Sequence, residues 1–375
     1  MRLPNKFLLQ LLITVAVLTA CENSDPVKPV VVPDTYAFER NGSTTVVYSG
    51  QTDRLNQVAE MKAYFQKGDQ GNGLSATALN DMFSNAGGNG GGNFTFSSDG
   101  KQLRDKTFAP DVAYFEDLFA RAEEASEIGG DASEGKAGYL LRSNGNQILV
   151  DAHGLEFTQA FEKGIMGSVF INQMFNVYLT DERIGNDVEN TTLDGSNNYT
   201  KMEHHWDEAF GYFGAPIDFP TNTVARFWGN YSNQRDELLG TNEILMNAFK
   251  AGRAAIVAKR YDIKNQQRDI LYQHFELLAA ATAIHYLNEA KTLLAQGQSK
   301  YGDAFHVLTE ARGFVSALRL SPIKRISTEN ITLILDDHIG QNLWALAETD
   351  LEGLTTAVST LVAAYPELGS IKDQL

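Results

Sequence analysis

Apolar residues recur at helical spacing along most of the chain, and this pattern predicts a mainly α-helical fold. Around residues 57–66, the side chains of Leu55, Val58, Met61 and Phe65 lie on one stripe of a predicted helix. Further helices are predicted over residues 111–126, 155–179, 241–261, 265–296, 303–319, 327–347 and 349–364. Because the connectors between the later helices are short, the pattern favours a helical bundle.

The exceptions to helical spacing are a hairpin and long polar loops. In "GYLLRSNGNQILVD", Asn144 and Gly145 stand between two apolar runs, which is a good signal for a small β-hairpin. Residues 44–48 form a shorter β-like stretch. Residues 84–100 are rich in glycine and residues 183–198 are polar, so both segments are predicted to be loops.

The first residues have the anatomy of a secretory signal. Arg2 and Lys6 precede a short, almost wholly apolar stretch that runs to Ala20 and is too short to span a membrane. The stretch ends in Leu-Thr-Ala-Cys, which resembles the bacterial lipobox, so we expect Cys21 to be lipidated. An ordinary signal peptide with a chance cysteine is the alternative.

This interpretation divides the chain into three segments. Residues 1–20 form the signal peptide, and residues 21–33 form the lipidated cysteine with a proline-rich, extended tether. Residues 34–375 form the helical domain, which is long enough for a large core. Glu22 stands where an inner-membrane retention aspartate would stand, so the sequence favours the outer membrane of a gram-negative cell envelope.

The cysteine count and the charge exclude several classes of function. Cys21 is the only cysteine, so lipidation leaves no thiol for disulfides, thiol catalysis or metal binding. Residues 1–20 hold two of the 31 basic residues and none of the 47 acidic ones, so the remainder carries a net charge of −18. A surface this acidic repels phosphate backbones and attracts cations, so we expect no nucleic-acid binding. Membrane contact is expected through the lipid anchor alone.

The segment from Gly130 to Lys136 nearly matches a phosphate-binding loop but departs from the motif. No predicted strand precedes it, Ala137 takes the place of the hydroxyl residue, and Asp131 and Glu134 would repel phosphate. Zincin, serine-hydrolase and dinucleotide-binding motifs are also missing from the sequence. The local sequence therefore gives familiar hydrolase chemistry no support.

Histidines and glutamates at helical spacing are the most distinctive chemical feature. Such pairs occur on three segments: His204 and His205 with Glu208, His285 with Glu289, and His306 with Glu310. A spacing of three or four residues puts both side chains on one helix face, where they can share a ligand or bond to each other. Residues 277–284 are apolar on every side, which predicts that the helix carrying His285 is buried. Glu162 is a further candidate on the predicted helix 155–179.

The residue types of these pairs are those of a metal site without thiolates. Imidazole and carboxylate ligands suit iron, zinc or copper, and the lack of thiolate argues against a closed structural zinc site. In one interpretation the pairs converge from several helices around a metal ion. In the other they are surface pairs or satisfy each other, and Glu162 with Lys163 is a plain surface patch.

The run "HHWDEAFGYFG" resembles the signature of the imelysin family, helical bacterial periplasmic or lipid-anchored proteins with a Gly-x-His-x-x-Glu motif. His205 and Glu208 match the motif histidine and glutamate, while Glu203 stands at the motif glycine. A group of lipoproteins related to imelysins is similar over most of the chain, through "YSGQTDRL", "EKGIMG", "HYLNEA" and "LTEARGFVSALR". The resemblance implies an imelysin-like helical bundle in two halves, residues 34–180 and 200–375. It also implies a metal site between the halves that is tied to iron acquisition.

These features predict a lipid-anchored, extracytoplasmic metal-binding protein that handles iron, or else zinc or another divalent cation. The expected ligands are His205 and Glu208 at the centre, with His204, His285, Glu289, His306 and Glu310 as further ligands or orienting groups. The expected partners are the metal ion and transport components of the envelope. One alternative is a metallohydrolase or peptidase with Glu208 as general base beside a metal-bound water. Another is an envelope interaction protein without a metal.

Overall fold

A computed structural model describes residues 29–375 of the chain, so the expected signal peptide and lipidated Cys21 lie outside the described residues. The helices are α1 (Ser49–Asp69), α2 (Ala76–Phe83), α3 (Val112–Ile128), α4 (Phe157–Ile165), α5 (Asp181–Ile184), α6 (Lys201–Phe213), α7 (Trp228–Leu239), α8 (Thr241–Val257), α9 (Tyr261–Leu294), α10 (Tyr301–Ala317), α11 (Thr328–Thr332), α12 (Leu343–Ala347) and α13 (Glu352–Ala364). They confirm the mainly α-helical fold. No helix of this part of the chain is both long enough and apolar enough to cross a membrane.

Residues 29–375 also contain two small antiparallel ribbons, one before α1 and one between α3 and α4. The strands are β1 (Glu39–Arg40), β2 (Ser43–Thr44), β3 (Gly138–Leu141) and β4 (Gln147–Val150), paired β1 with β2 and β3 with β4. In the second ribbon the backbone N–H of Gly145 donates to the carbonyl of Arg142 at 3.0 Å, and Gly145 has a φ of +84° that favours glycine. This ribbon is the hairpin that the Asn144-Gly145 pair predicts.

Helix α9 forms the centre of the bundle. Every residue from Leu277 to Ile284 is buried, as the all-round apolar pattern predicts. Helices α8 and α10 pack along α9, and α7 and α13 also contact it. The helix that carries His285 is therefore surrounded by others over its middle turns.

Aromatic side chains join the earlier and later parts of the chain into one core. Phe65 of α1 stacks on Phe161 of α4, with ring centroids 5.1 Å apart. Phe175 meets Phe275 of α9 edge to face, with ring centroids 5.7 Å apart. The buried apolar side chains form a continuous cluster that draws on both predicted halves of the domain.

Glycines allow two pairs of helices to approach closely. A Cβ atom at Gly313 of α10 would lie 2.2 Å from the Cβ atom of Lys163 in α4. A Cβ atom at Gly252 of α8 would lie 2.0 Å from the ring of Trp206 in α6. Both distances are far below van der Waals contact, so these two crossings depend on glycine.

Three segments of the described chain have π-helical hydrogen bonding that the apolar pattern does not predict. Met166–Ile171 and Met174–Tyr178 follow α4, so the predicted helix 155–179 continues through them in a wider form. Leu333–His338 follows α11, and with Gly340 at a φ of +76° it interrupts the single helix predicted over residues 327–347. π-Helical turns are rare and often lie at functional sites.

Candidate functional site

Helix α6 carries the first histidine–glutamate group, and a capping box fixes where the helix begins. Thr200 Oγ1 accepts a hydrogen bond from the backbone N–H of Glu203 at 3.3 Å, and the Glu203 carboxylate accepts one from the N–H of Thr200 at 2.8 Å. Gly214, with a left-handed φ of +76°, ends the helix. The run "EHHWDE" is therefore one continuous helix, and its carboxylates point in two directions.

The inner face of α6 carries a buried ionic network. Glu203 and Asp207 lie 3.2 and 2.9 Å from the Arg253 guanidinium of α8, and all three side chains are buried. Asp207 also accepts a hydrogen bond from the Tyr36 hydroxyl at 2.8 Å. Burial raises the pKa of Asp207 to about 6, although Arg253 acts to lower it. The histidine–glutamate pattern does not predict this network, although the spacing of four residues between Glu203 and Asp207 is a signal for it.

The outer face of α6 brings together His204, His205 and Glu208, all three partly exposed. His204 Nε2 lies 3.8 Å from Glu208 Oε2, and the His204 ring stacks on Tyr199 with centroids 4.5 Å apart. His205 Nδ1 lies 3.2 Å from the carbonyl oxygen of Arg183. Burial lowers the pKa of His205, which favours its neutral form. We call these three residues the outer face of α6.

Residues from α1 and from a π-helical segment complete the surroundings of Glu208. Gln51 of α1 places Nε2 3.1 Å from Glu208 Oε1 and 3.2 Å from the Tyr178 hydroxyl. Tyr178 is the last residue of the π-helical segment Met174–Tyr178. Burial raises the pKa of Tyr178, and Tyr212 and the Glu208 carboxylate act in the same direction. Glu208 thus lies near the His204 imidazole and is bonded to Gln51, whose amide also bonds to the Tyr178 hydroxyl.

The pair on α9 lies at the edge of the bundle. His285 Nε2 is 3.6 Å from Glu289 Oε2, but His285 is only half-buried and Glu289 is exposed. Burial, followed by the nearby charge of Arg235, lowers the pKa of His285 to about 4. Burial and the negative charge of Glu310 raise the pKa of Glu289. Glu289 therefore lies outside the fully buried part of α9.

His306 pairs with a different acid from the one that its spacing predicts. His306 Nδ1 lies 2.6 Å from Oε2 of Glu156, just before α4, and the predicted partner Glu310 is engaged elsewhere. The pairing of His306 with Glu310 is therefore corrected. The spacing of four residues would allow His306 to contact Glu310. Glu156, which belongs to another element, lies closer to His306.

The buried Lys163 and the partly exposed Lys62 neutralise Glu162 and Glu310. Lys163 Nζ bonds to Glu162 and lies 3.2 Å from Glu310 Oε1, while Lys62 Nζ lies 2.9 Å from Glu162. Burial acts to lower the pKa of Lys163, but the two carboxylates hold it above its ordinary value. The Tyr231 hydroxyl also donates to Glu310, at 3.4 Å. An ammonium group thus lies between two acids that the sequence offers as metal ligands, and Glu162 with Lys163 is not a surface patch.

The three histidine–glutamate groups do not converge. Within residues 29–375, no three side chains of His, Cys, Asp and Glu lie close enough together to hold a metal ion. The expected convergence from three helices is therefore corrected. Helical spacing determines which residues share a face, but not which neighbour that face meets. Metal binding at an individual group stays a prediction.

Fold and site together define a mainly α-helical protein with a histidine–carboxylate face on one of its helices. A family model described as a domain of unknown function (DUF4856) matches residues 33–363, and the chain belongs to this family. No curated protein and no solved structure matches the chain. The resemblance to imelysins stays a prediction.

Proposed function

We propose that this protein is a lipid-anchored binding protein of the bacterial cell envelope that takes up an iron cargo on the outer face of α6. The approach of His204 to Glu208 on one partly buried helix face, with His205 next to them, carries the proposal. Zinc or another divalent cation is the alternative cargo. Transport components of the envelope would receive the cargo from this face.

The side chains of this face are in a state that suits metal ligation. Neutral imidazole binds metals, and the lowered pKa of His205 keeps its ring neutral near pH 7. Gln51 bonds to one oxygen of Glu208, and the other lies 3.8 Å from His204 Nε2. Two ligand atoms at this separation can both reach one ion through bonds of about 2.0–2.2 Å.

The number of protein ligands indicates the form of the cargo. A metal ion held by two protein groups keeps open coordination positions. An ion that retains some ligands of a chelator fills those positions itself. The outer face therefore suits the transfer of a partly chelated ion better than permanent storage.

Titration of the mature, detergent-solubilised protein with ferrous, ferric–nitrilotriacetate and zinc ions tests the proposal. Binding to the folded state raises the free energy of unfolding by about 2.7 kcal/mol at a hundredfold excess over the dissociation constant. Glu208→Gln and His204→Ala should each lose most of this gain while the apo fold persists. Glu289→Gln is the matched control, since it changes the comparable pair on α9.

The other outcomes separate the alternatives. Unchanged metal affinity in Glu208→Gln would refute the site. Cleavage of an unfolded test protein that a chelator abolishes would favour a metallohydrolase with Glu208 as general base. A melting temperature that no metal changes would favour an envelope interaction protein.

A further inference from the structure

A polar cavity of about 550 Å³ lies where the end of α1, the β3–β4 turn, the start of α4 and helix α10 meet. Its lining includes Gln66, Asp69, Asn146, Glu156, Gln159 and His306. The residues of the outer face of α6 do not line it, so it is a separate place in the molecule. Its volume lies within the range of about 300–1,000 Å³ that is typical of small-molecule sites.

The two acids of the cavity are held in fixed positions. Asp69 accepts hydrogen bonds from the backbone N–H of Leu149 and from the Thr158 hydroxyl, both at 2.8 Å. Glu156 is 1% exposed, and its Oε2 lies 2.6 Å from His306 Nδ1. Both carboxylates are therefore preorganised, so a ligand need not order them.

The charges around the cavity favour a cationic ligand. Arg142 is already engaged, with Nε 3.2 Å from Asp303 Oδ1. His306 is engaged with Glu156, and the groups that donate to Asp69 carry no charge. The cavity thus presents more negative charge than its own basic side chains neutralise.

Gln159 supplies an independent observation that points to a ligand. Its side chain lines the cavity and is 6% exposed, and its Oε1 has no hydrogen-bond partner within residues 29–375. Buried polar atoms of native proteins are nearly always paired, because leaving one unpaired is unfavourable. A rotation of the Gln159 amide toward the cavity would let an N–H donor on a bound molecule pair this oxygen.

We propose that this cavity binds a small molecule that carries a protonated primary amine. Asp69 and Glu156 supply the negative charge opposite the ammonium group, and Gln159 Oε1 accepts one of its N–H bonds. The inference stands apart from the metal cargo on α6, and neither depends on the other.

The acids of the cavity make this binding sensitive to pH. Burial and the nearby charge of Glu156 raise the pKa of Asp69 to about 6. When the pH falls below this value, Asp69 becomes neutral and its attraction for an ammonium group is lost. The other titratable or charged groups that face Asp69 are Glu156, His306, Arg142 and Tyr139.

Calorimetric titration of the mature protein with two matched pairs of probes tests the proposal. Butane-1,4-diamine is compared with butane-1,4-diol, and glucosamine with glucose, so that each pair differs by amine against hydroxyl. We expect at least one amine to bind at least tenfold more tightly than its neutral partner near pH 7, and to weaken near pH 5. If neither amine binds more tightly than its neutral partner, the proposal is overturned.

Two variants locate the binding. Gln159→Met should weaken the amine at least tenfold without lowering the melting temperature, because it removes an unpaired buried oxygen. Asp69→Asn should weaken it similarly and flatten the pH dependence. Gln173→Met is the matched control, since Gln173 also has a buried, unpaired Oε1 within residues 29–375 but does not line this cavity. Equal affinity in Gln159→Met and the wild type would overturn the assignment even if Asp69→Asn fails to fold.

Discussion

Lys163 lies between Glu162 and Glu310, two acids that the sequence offers as metal ligands. An ammonium group can take the place of a metal ion here, because each neutralises carboxylates that have been removed from water. The sequence places Lys163 next to Glu162, and adjacent residues of opposite charge are typical of exposed helix surfaces. Only the burial of both side chains, which depends on packing against α10, distinguishes a core network from such a surface.

Replacing this lysine should be costly. Lys163→Met leaves Glu310 buried without its cation, so we expect the free energy of unfolding to fall by about 3–5 kcal/mol in urea denaturation. Adding Glu310→Gln to the same chain should restore part of the loss, since it removes the unpaired charge. The control is Lys136→Ala in an exposed loop, with an expected change within about 0.5 kcal/mol. A loss for Lys163→Met as small as that of the control would show that the network contributes little.

His285 should make stability sensitive to mild acid. Its pKa is lowered to about 4 in the folded protein, mainly by burial, while an unfolded histidine titrates near 6.5. Between these values the unfolded chain binds more protons, so stability is full above about pH 6.5 and falls as the pH drops towards 4. His285→Gln should therefore show a shallower fall in melting temperature between about pH 7 and pH 5 than the wild type. His153→Gln, at an exposed position, serves as the control, and equal slopes in all three proteins would contradict the expectation.

At the scale of elements, apolar periodicity predicts the long helices and misses what depends on contacts between them. The pattern anticipates α1, α3, α8, α9, α10 and α13, as well as the β3–β4 hairpin. It misses the π-helical segments and the interruption at Gly340, because hydrogen-bond register is set by neighbouring elements and not by apolar spacing. It also misses α7, whose sequence "WGNYSNQRDELL" is too polar to show a clear stripe.

At the candidate site, too, the sequence predicts contacts within one helix but not contacts between elements. Spacing brings His204 and Glu208 together on α6, and the structure places their side chains 3.8 Å apart. Spacing does not reveal Gln51 and Tyr178, which approach Glu208 from α1 and from a π-helical segment. Nor does it reveal that His306 pairs with Glu156. Pairs within one helix are thus predictable from sequence, while the third and fourth members of a site depend on tertiary packing.

The crossing of α6 and α8 provides a test in which two effects have opposite signs. In a helix interior Gly→Ala normally stabilises by roughly 1 kcal/mol, because alanine has the better helix propensity. At Gly252 the added methyl group would lie 2.0 Å from the Trp206 ring, and overpacking of this kind costs about 1–3 kcal/mol or more. We expect the clash to exceed the gain, so Gly252→Ala should lower the melting temperature. Gly50→Ala is the control, because the nearest atoms are the ends of flexible Lys101 and Arg54 side chains.

At the scale of the whole molecule, the proposed anchor and the helical domain have separate tasks. Residues 34–375 supply the core and the candidate sites, while the expected lipid on Cys21 holds the domain at a membrane. Among the helices of residues 29–375, none is long and apolar enough to cross a membrane. From the acidic composition we expect the domain to be repelled by anionic lipid heads and nucleic acids.

Removing the anchor residue tests this arrangement directly. We expect Cys21→Ala to abolish fatty-acid incorporation and to move the protein from the membrane fraction to the soluble fraction. Metabolic labelling with a radioactive fatty acid, followed by fractionation, measures both effects. Label that persists in the variant would refute lipidation at Cys21.

The position of α9 has a consequence for how the protein exchanges hydrogen with its solvent. Amide protons from Leu277 to Ile284 sit on turns that α8 and α10 pack against and whose side chains are all buried. Local fraying at the ends of the helix should not reach them, so we expect them to exchange with deuterium only when the bundle opens as a unit. Their exchange rates therefore report the free energy of global unfolding in water, without denaturant. Amides at the exposed ends of α13 should exchange faster by orders of magnitude, which would show how far the opening of one helix is independent of the rest.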